Sequence, residues 1–269
     1  MRWLLSVALL YGSVLSAQER AEIKLRSTIP LPNQELFSAD QFGNIYTVSG
    51  TEFIKLDVEG QKLFSYSTPL FGDISQVNVF DPLNPYLFYR DANQMVVTDN
   101  RLNEALRFNF SEHGYFDVRF LALAGQGLIW FYDQATDKLY QLNPNDGSVS
   151  NQSVNITQLT NTENQPTELV STVGKLYLNI PETGILEFSA VGAFKRKLPL
   201  KEVKSFDVAG NYLVALRGDQ LIQFNLETSA VQKLLLPAAF SPQQLKFYRN
   251  LLYLYDGKKL LIFEIPSWE

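Results

Sequence analysis

The chain has no cysteine and one histidine, His113, among 269 residues. That excludes disulfides, thiolate metal sites, a cysteine nucleophile and sites built from several histidines. It also removes the cysteine to which a bacterial lipoprotein anchor would attach. Basic residues are few: 23 Lys and Arg against 28 Asp and Glu, a net charge of −5, with the densest cluster at Lys195-Arg196-Lys197. A nucleic-acid partner needs a basic surface and is not expected. Helical periodicity is nearly absent, and Pro242-Gln243-Gln244 offers a single turn at most. The one long apolar run is at the start. Met1-Arg2 is positive, Trp3 to Leu15 is largely apolar, and Val14-Leu15-Ser16-Ala17 supplies small residues for cleavage. This predicts a signal peptide over residues 1–17, too short to span a membrane, and places the protein in a periplasm or outside the cell. No other run would cross a bilayer as a helix. The expected mature chain, 18–269, is one domain of about 250 residues, large enough for a full core without disulfides. With Arg2 removed, 22 basic residues face 28 acidic ones, a net charge of −6.

What the chain does contain is one phrase repeated. From Asp40 to Tyr66, Gly43-Asn44-Ile45-Tyr46-Thr47-Val48 is followed by Glu52-Phe53-Ile54-Lys55-Leu56-Asp57, then Gly60 and Lys62-Leu63-Phe64-Ser65-Tyr66. These read as three short strands joined by tight turns. The counterparts of Asn44-Ile45-Tyr46 begin at positions 86, 127, 175, 211 and 251, at intervals of 42, 41, 48, 36 and 40 residues. Each is followed by another strand. Four of those share one pattern, apolar–polar–apolar–Asp/Asn/Ser, as in Ile54-Lys55-Leu56-Asp57, Leu186-Glu187-Phe188-Ser189 and Ile222-Gln223-Phe224-Asn225; in the fourth, Tyr140-Gln141-Leu142-Asn143, the first position is the aromatic Tyr140. With a first and a fourth strand added, each unit is a four-stranded antiparallel sheet, the signature of a β-propeller blade. Thr157 to Gln165, in the longest interval, reads as an extended loop.

The sixth unit runs out of chain before its outer strand, while Glu22 to Ile29 alternates cleanly with no unit of its own. Pairing these two ends closes the ring. The expected fold is therefore all-β: a six-bladed β-propeller of four-stranded antiparallel blades, the last closed by the N-terminal strand. Asp40-Gln41-Phe42-Gly43-Asn44-Ile45-Tyr46 and Lys138-Leu139-Tyr140-Gln141-Leu142-Asn143-Pro144-Asn145-Asp146-Gly147 resemble turns of secreted six-bladed propellers of the TolB-like and NHL-repeat kind. The resemblance implies an architecture and no particular activity.

In this fold the turns between second and third strands share a face with the blade-to-blade connections. The turns carry Arg90, Asp133, Arg217, Asp219 and Asp256; the connections carry Phe71, Tyr115, Phe116 and Phe240. Apolar rings on one face would bind a protein partner, with Arg90, Asp133, Arg217 and Asp256 as polar surround. The expected function is a non-enzymatic binding or scaffold module, in a bacterial cell-envelope complex for instance, with no catalytic residue, metal or cofactor assigned. The alternative is a calcium-dependent hydrolase or lactonase, which requires Asp133 and Asp256 to converge at the channel mouth. A small-molecule or glycan ligand would need exposed aromatics in a groove. His113, beside Glu112 in a polar loop, reads as a solvated side chain rather than a general base.

Overall fold

A computed structural model describes residues 20–21, 23–218, 220–237 and 240–265; the expected signal peptide, Glu22 and Asp219 lie outside the described residues. Six sheets follow one another in chain order. Blade 1 is Leu36–Ala39, Ile45–Ser49, Glu52–Leu56 and Lys62–Ser67; blade 2 is Gln76–Asn78, Tyr86–Tyr89, Gln94–Thr98 and Glu104–Asn109. Blade 3 is Val118–Gly125, Leu128–Asp133, Lys138–Leu142 and Val149–Gln152; blade 4 is Glu168–Thr172, Lys175–Ile180, Gly184–Ser189 and Phe194–Leu198. Blade 5 is Val203–Ala209, Tyr212–Arg217, Gln220–Asn225 and Val231–Leu234; blade 6 is Gln244–Tyr248, Leu251–Tyr255 and Lys259–Glu264, completed by Lys24–Pro30. The innermost strand of each blade touches that of the next, and that of blade 6 touches that of blade 1. The chain is a six-bladed β-propeller.

Each blade is covered on both sides by its neighbours. This explains why the second strands read as continuous apolar runs rather than alternating ones. Tyr86-Leu87-Phe88-Tyr89 and Leu252-Leu254 are buried throughout. The core is accordingly six clusters, one at each blade-to-blade interface. The outer strands are largely exposed, as in Lys62–Ser67.

The expected closure is present. Lys24–Pro30 pairs antiparallel with Lys259–Glu264, with Leu25 opposite Phe263 and Ile29 opposite Leu260. Ile29 and Leu31 then pack into the cluster between blades 6 and 1. Two residues upstream of Lys24–Pro30 add something the repeat did not foretell: Arg20–Ala21 pairs in parallel with the outer strand of blade 5. Two short helical turns also escaped the sequence reading. One is the 3-10 turn Phe110–His113, capped by Asn109; the other is Ile156–Thr160, capped by Asn155 and closed by Asn161 at φ 53°. The second occupies part of the stretch expected to be loop. A helix this short has no periodicity to display, and its signal was the asparagine at either end.

The pattern that recurs in the third strands has two structural roles. Its last residue caps the following turn: Asp57, Asn143, Ser189 and Asn225 each accept backbone N–H groups two to four residues ahead, as does Asp99 after the third strand of blade 2. Its middle residue, Lys55, Gln141, Glu187 or Gln223, is buried at the blade interface. Lys55 Nζ donates to the Asn100 carbonyl of blade 2. Glu187 pairs with Lys175 and Arg196, and Arg196 donates onward to the Leu226 carbonyl of blade 5. Apolar packing alone would allow blades to slide, whereas these bonds fix the register.

Asp40 does similar work in the phrase that begins the repeat. Its carboxylate accepts from the N–H groups of Phe42 and Asn44, from the Asn44 amide and from the buried Tyr46 hydroxyl at 3.0 Å. Gly43 sits at φ 87°, where a side chain would also meet Val58.

Two outcomes are expected. Deleting residues 20–30 removes the outer strand of blade 6, so the single cooperative thermal transition should be lost; a calorimetric melt matching the full chain would contradict the closure. Asp40→Ala leaves the buried Tyr46 hydroxyl without its acceptor and should cost about 2–3 kcal/mol in urea unfolding.

Candidate functional site

An antiparallel meander sends alternate turns to opposite ends of a blade. Backbone bonds confirm that the second-to-third turns share a face with the blade connections: Ile74 N–H donates to Gly50, Phe110 to Asn93, Gln134 to Asp117 and Glu202 to Pro181. This is called the connection face below, and the other end the turn face.

Through the middle runs a channel of 690 Å³, walled by the innermost strands of the blades. Each of those strands has one edge facing the channel with no ladder partner. Side chains of the preceding blade cover four of the exposed N–H groups. Gln76 accepts from Leu121 N–H at 2.9 Å and donates to its carbonyl at 2.6 Å, linking blades 2 and 3. Glu168 accepts from Phe206 N–H at 3.0 Å, linking blades 4 and 5. Asp207 accepts from Phe247 N–H at 2.9 Å, linking blades 5 and 6. Gln244 accepts from Phe37 N–H at 3.2 Å, linking blades 6 and 1.

The two carboxylates sit in unlike company to most surface acids. Burial pushes Glu168 up to about 7, assisted by Asp207 and opposed by Lys246 and the Phe206 N–H. Burial raises Asp207 as well, against the same lysine and two backbone N–H groups. On the far wall, burial and then Arg119 lower the basicity of Arg90. Arg119 is paired with Asp117 at 2.8 Å, whereas Arg90 lies over the Phe120 ring, with its Nε enclosed and without a hydrogen bond.

The residues singled out in the sequence separate into different roles. Phe71 packs on Tyr89, with Arg107 over its other side. Tyr115 packs against the stacked pair Phe131 and Tyr140. Phe240 leans on the cluster between blades 5 and 6, with Lys259 above its ring. Phe116 alone of the four stands out, 71% exposed. Each of the others is held under its own connection, so the four rings do not merge into one apolar patch. Asp133 is buried, accepting from Thr136 Oγ1 at 2.7 Å, Thr136 N–H and Asp117 N–H. Asp256 accepts from the N–H groups of Lys258 and Lys259. The two belong to blades 3 and 6, on opposite sides of the ring, and both hold their own turns. The convergence that a metal-dependent hydrolase requires is not there. Arg217 is exposed, 4.0 Å from Glu202. His113 stacks on Phe108 among the outer strands, with ring centroids 4.5 Å apart, away from the channel. Among the described residues no group of three or more His, Asp or Glu is placed to hold a metal ion, and no helix is long and apolar enough to cross a membrane.

The turn face carries what the sequence reading passed over. Phe42 is 68% exposed, Phe80 50%, Leu83 63% and Val173 91%. All four lie in turns between first and second strands, and Phe80 and Val173 line the channel itself. Three are presented by the same device. The N–H of Phe42, Phe80 and Leu83 donates to the side chain two residues back, at Asp40, Asn78 and Asp81. These Asx turns aim the third residue outward. The signal in the sequence was Asp-x-Phe, Asn-x-Phe and Asp-x-Leu at the ends of first strands.

No family model and no curated protein matches the sequence. Solved structures do match in shape. The Pan2 WD40 domain of Neurospora crassa superposes with a TM-score of 0.62 at 9% identity, over 88% of this chain and 90% of that one. Virginiamycin B lyase from Staphylococcus aureus gives 0.62 at 9% identity, over 91% and 94%. A streptogramin B lyase gives 0.58 at 12% identity, over 91% and 97%. What they share with this chain is the propeller fold.

The position of Glu168 yields a pH dependence. Its proton is held more tightly in the folded protein than in the unfolded chain, so protons favour folding. That contribution is complete below the ordinary value of 4.5 and is lost as pH rises through about 7. Glu168→Gln keeps the acceptor for Phe206 and abolishes the titration. Unfolding free energies measured from pH 4 to 8 should show wild type losing ground to the variant across that window, with level curves on either side.

Proposed function

We propose that this propeller is an exported, non-enzymatic binding module that docks a protein partner on its turn face. The observation that carries the reading is the set of exposed Phe42, Phe80, Leu83 and Val173 beside the channel mouth. Hydrogen-bonded turns hold three of the four, so little order is lost on binding. Exposed aromatics of this kind are the usual anchors of protein interfaces. Phe116 on the connection face is a second, isolated contact point. Export rests on Met1-Arg2 and the apolar run to Leu15, and the absence of cysteine suits an oxidising compartment only in that nothing there could be oxidised to a disulfide. A cell-envelope complex is the setting this combination fits.

An enzymatic reading has less to stand on. Asp133 and Asp256 are committed to their own turns. The S. aureus lyase has a catalytically inactive histidine-to-alanine variant; the single histidine of this chain is stacked on Phe108, outside the channel.

The test is co-purification from the native envelope with wild type and with Phe42→Asp/Phe80→Asp. Both positions are exposed, so the variant should melt within a few degrees of wild type, as surface changes usually do. Proteins retained by wild type should be lost from the variant. An unchanged set of retained proteins would overturn the proposal.

A further inference from the structure

Beyond protein docking, the connection-side half of the channel has the chemistry of a separate small-molecule site. Arg90 enters from blade 2 and Lys204 from blade 5, on opposite walls of one cavity. Both lie toward the connection face, Arg90 in a second-to-third turn and Lys204 at the second position of an inner strand. Among the described residues neither has an ion-pair partner within 4.0 Å, although the neighbouring Arg119 has one in Asp117. Arg90 is also partly desolvated and rests on Phe120, an arrangement that holds the planar guanidinium in place with its donors free. The acids in the same wall, Glu168 and Asp207, are occupied by backbone N–H groups of the next blade. Phe120 gives the cavity an apolar surface next to the guanidinium, and Val77 lines the same cavity. The net charge of −5 disfavours anions over the protein as a whole, and Arg90 and Lys204 oppose it locally between the channel walls.

We propose that this half of the channel binds a small organic carboxylate. Its carboxylate is held by Arg90, with Lys204 opposite adding to the attraction, and its carbon body lies against Val77 and Phe120. The whole channel, 690 Å³, is within the ordinary range for small-ligand sites, and this site takes its connection-side part. An arginine fork on a carboxylate favours two parallel hydrogen bonds, which a lysine in its place could not make.

Benzoate is a suitable probe, titrated calorimetrically into the mature protein at low ionic strength and neutral pH, with inorganic sulfate as the comparison. The expected result is single-site saturable binding of benzoate, at least tenfold tighter than that of sulfate and weakened by added salt. Arg90→Gln should reduce affinity at least tenfold, and Lys204→Gln by a smaller factor. Arg26→Gln, which removes an exposed pair with Glu264 on the rim of blade 6, should leave binding unchanged. Melting curves of each variant check that it is folded. Lys204 is exposed, so its variant and the salt dependence remain decisive even if Arg90→Gln fails to fold. No saturable binding of benzoate, equal affinity for sulfate, or an undiminished affinity in a folded Arg90→Gln would each overturn the proposal.

Discussion

Every blade of this protein is a sheet with two apolar faces, and that single fact forces the ring. A sheet such as Tyr86–Tyr89 with its neighbours cannot bury both faces by itself, and a row of such sheets always leaves two uncovered at the ends. Closure removes both ends together. The chain achieves it by placing its first long strand, Lys24–Pro30, on its last, Lys259–Glu264. Segments far apart in sequence become paired strands in space, and the cluster of Ile29, Leu31, Phe37, Tyr253 and Tyr255 forms only once they meet. Folding therefore has a large loop-closure term to overcome before its last interface is made.

Once the ring is closed, its inner strands present a new difficulty, since their free edges face the central channel. Four interfaces answer it with a side chain that reaches across to the next backbone. Two of those side chains are amides and two are carboxylates. The amides do the structural work without a charge. The carboxylates make a stronger bond to an N–H, yet they bring negative charge into a confined space that also holds Lys246. The raised proton affinity of Glu168 is the direct consequence. Glutamine at position 76 and at 244 makes the same kind of bond without a charge to bury.

Most of the architecture was legible in the sequence because period and turn chemistry are local. The six second strands, the third-strand pattern and the unpaired segment near the start were each visible within a window of a few residues. The roles of Lys55, Gln141 and Glu187 were not, because an alternating polar position in a strand looks solvent-facing until a neighbouring blade is known to cover it. The candidate site suffered from the same blindness. Phe71, Tyr115 and Phe240 lie in connections, and loops are usually exposed, but these connections fold back over their own blades. Apart from Phe116, the rings at least half exposed among the described residues, Phe42 and Phe80, occur instead in turns between first and second strands.

That contrast also explains why the two faces of the molecule differ in kind. A connection between blades spans from an outer strand to the next inner one and has enough length to cover an aromatic side chain. The turns between the first two strands run from two residues, as at Val173-Gly174, to seven in blade 2; in the two longest, Asp40, Asn78 and Asp81 are bonded to the turn's own backbone and leave Phe42, Phe80 and Leu83 outside, while Val79 is buried. An exposed phenylalanine there costs solubility and contributes nothing to the core. A fold with a full apolar interface on both sides of each blade has no structural need for Phe42 or Phe80. Their exposure leaves apolar surface on the turn face, and the docking proposal rests on that surface.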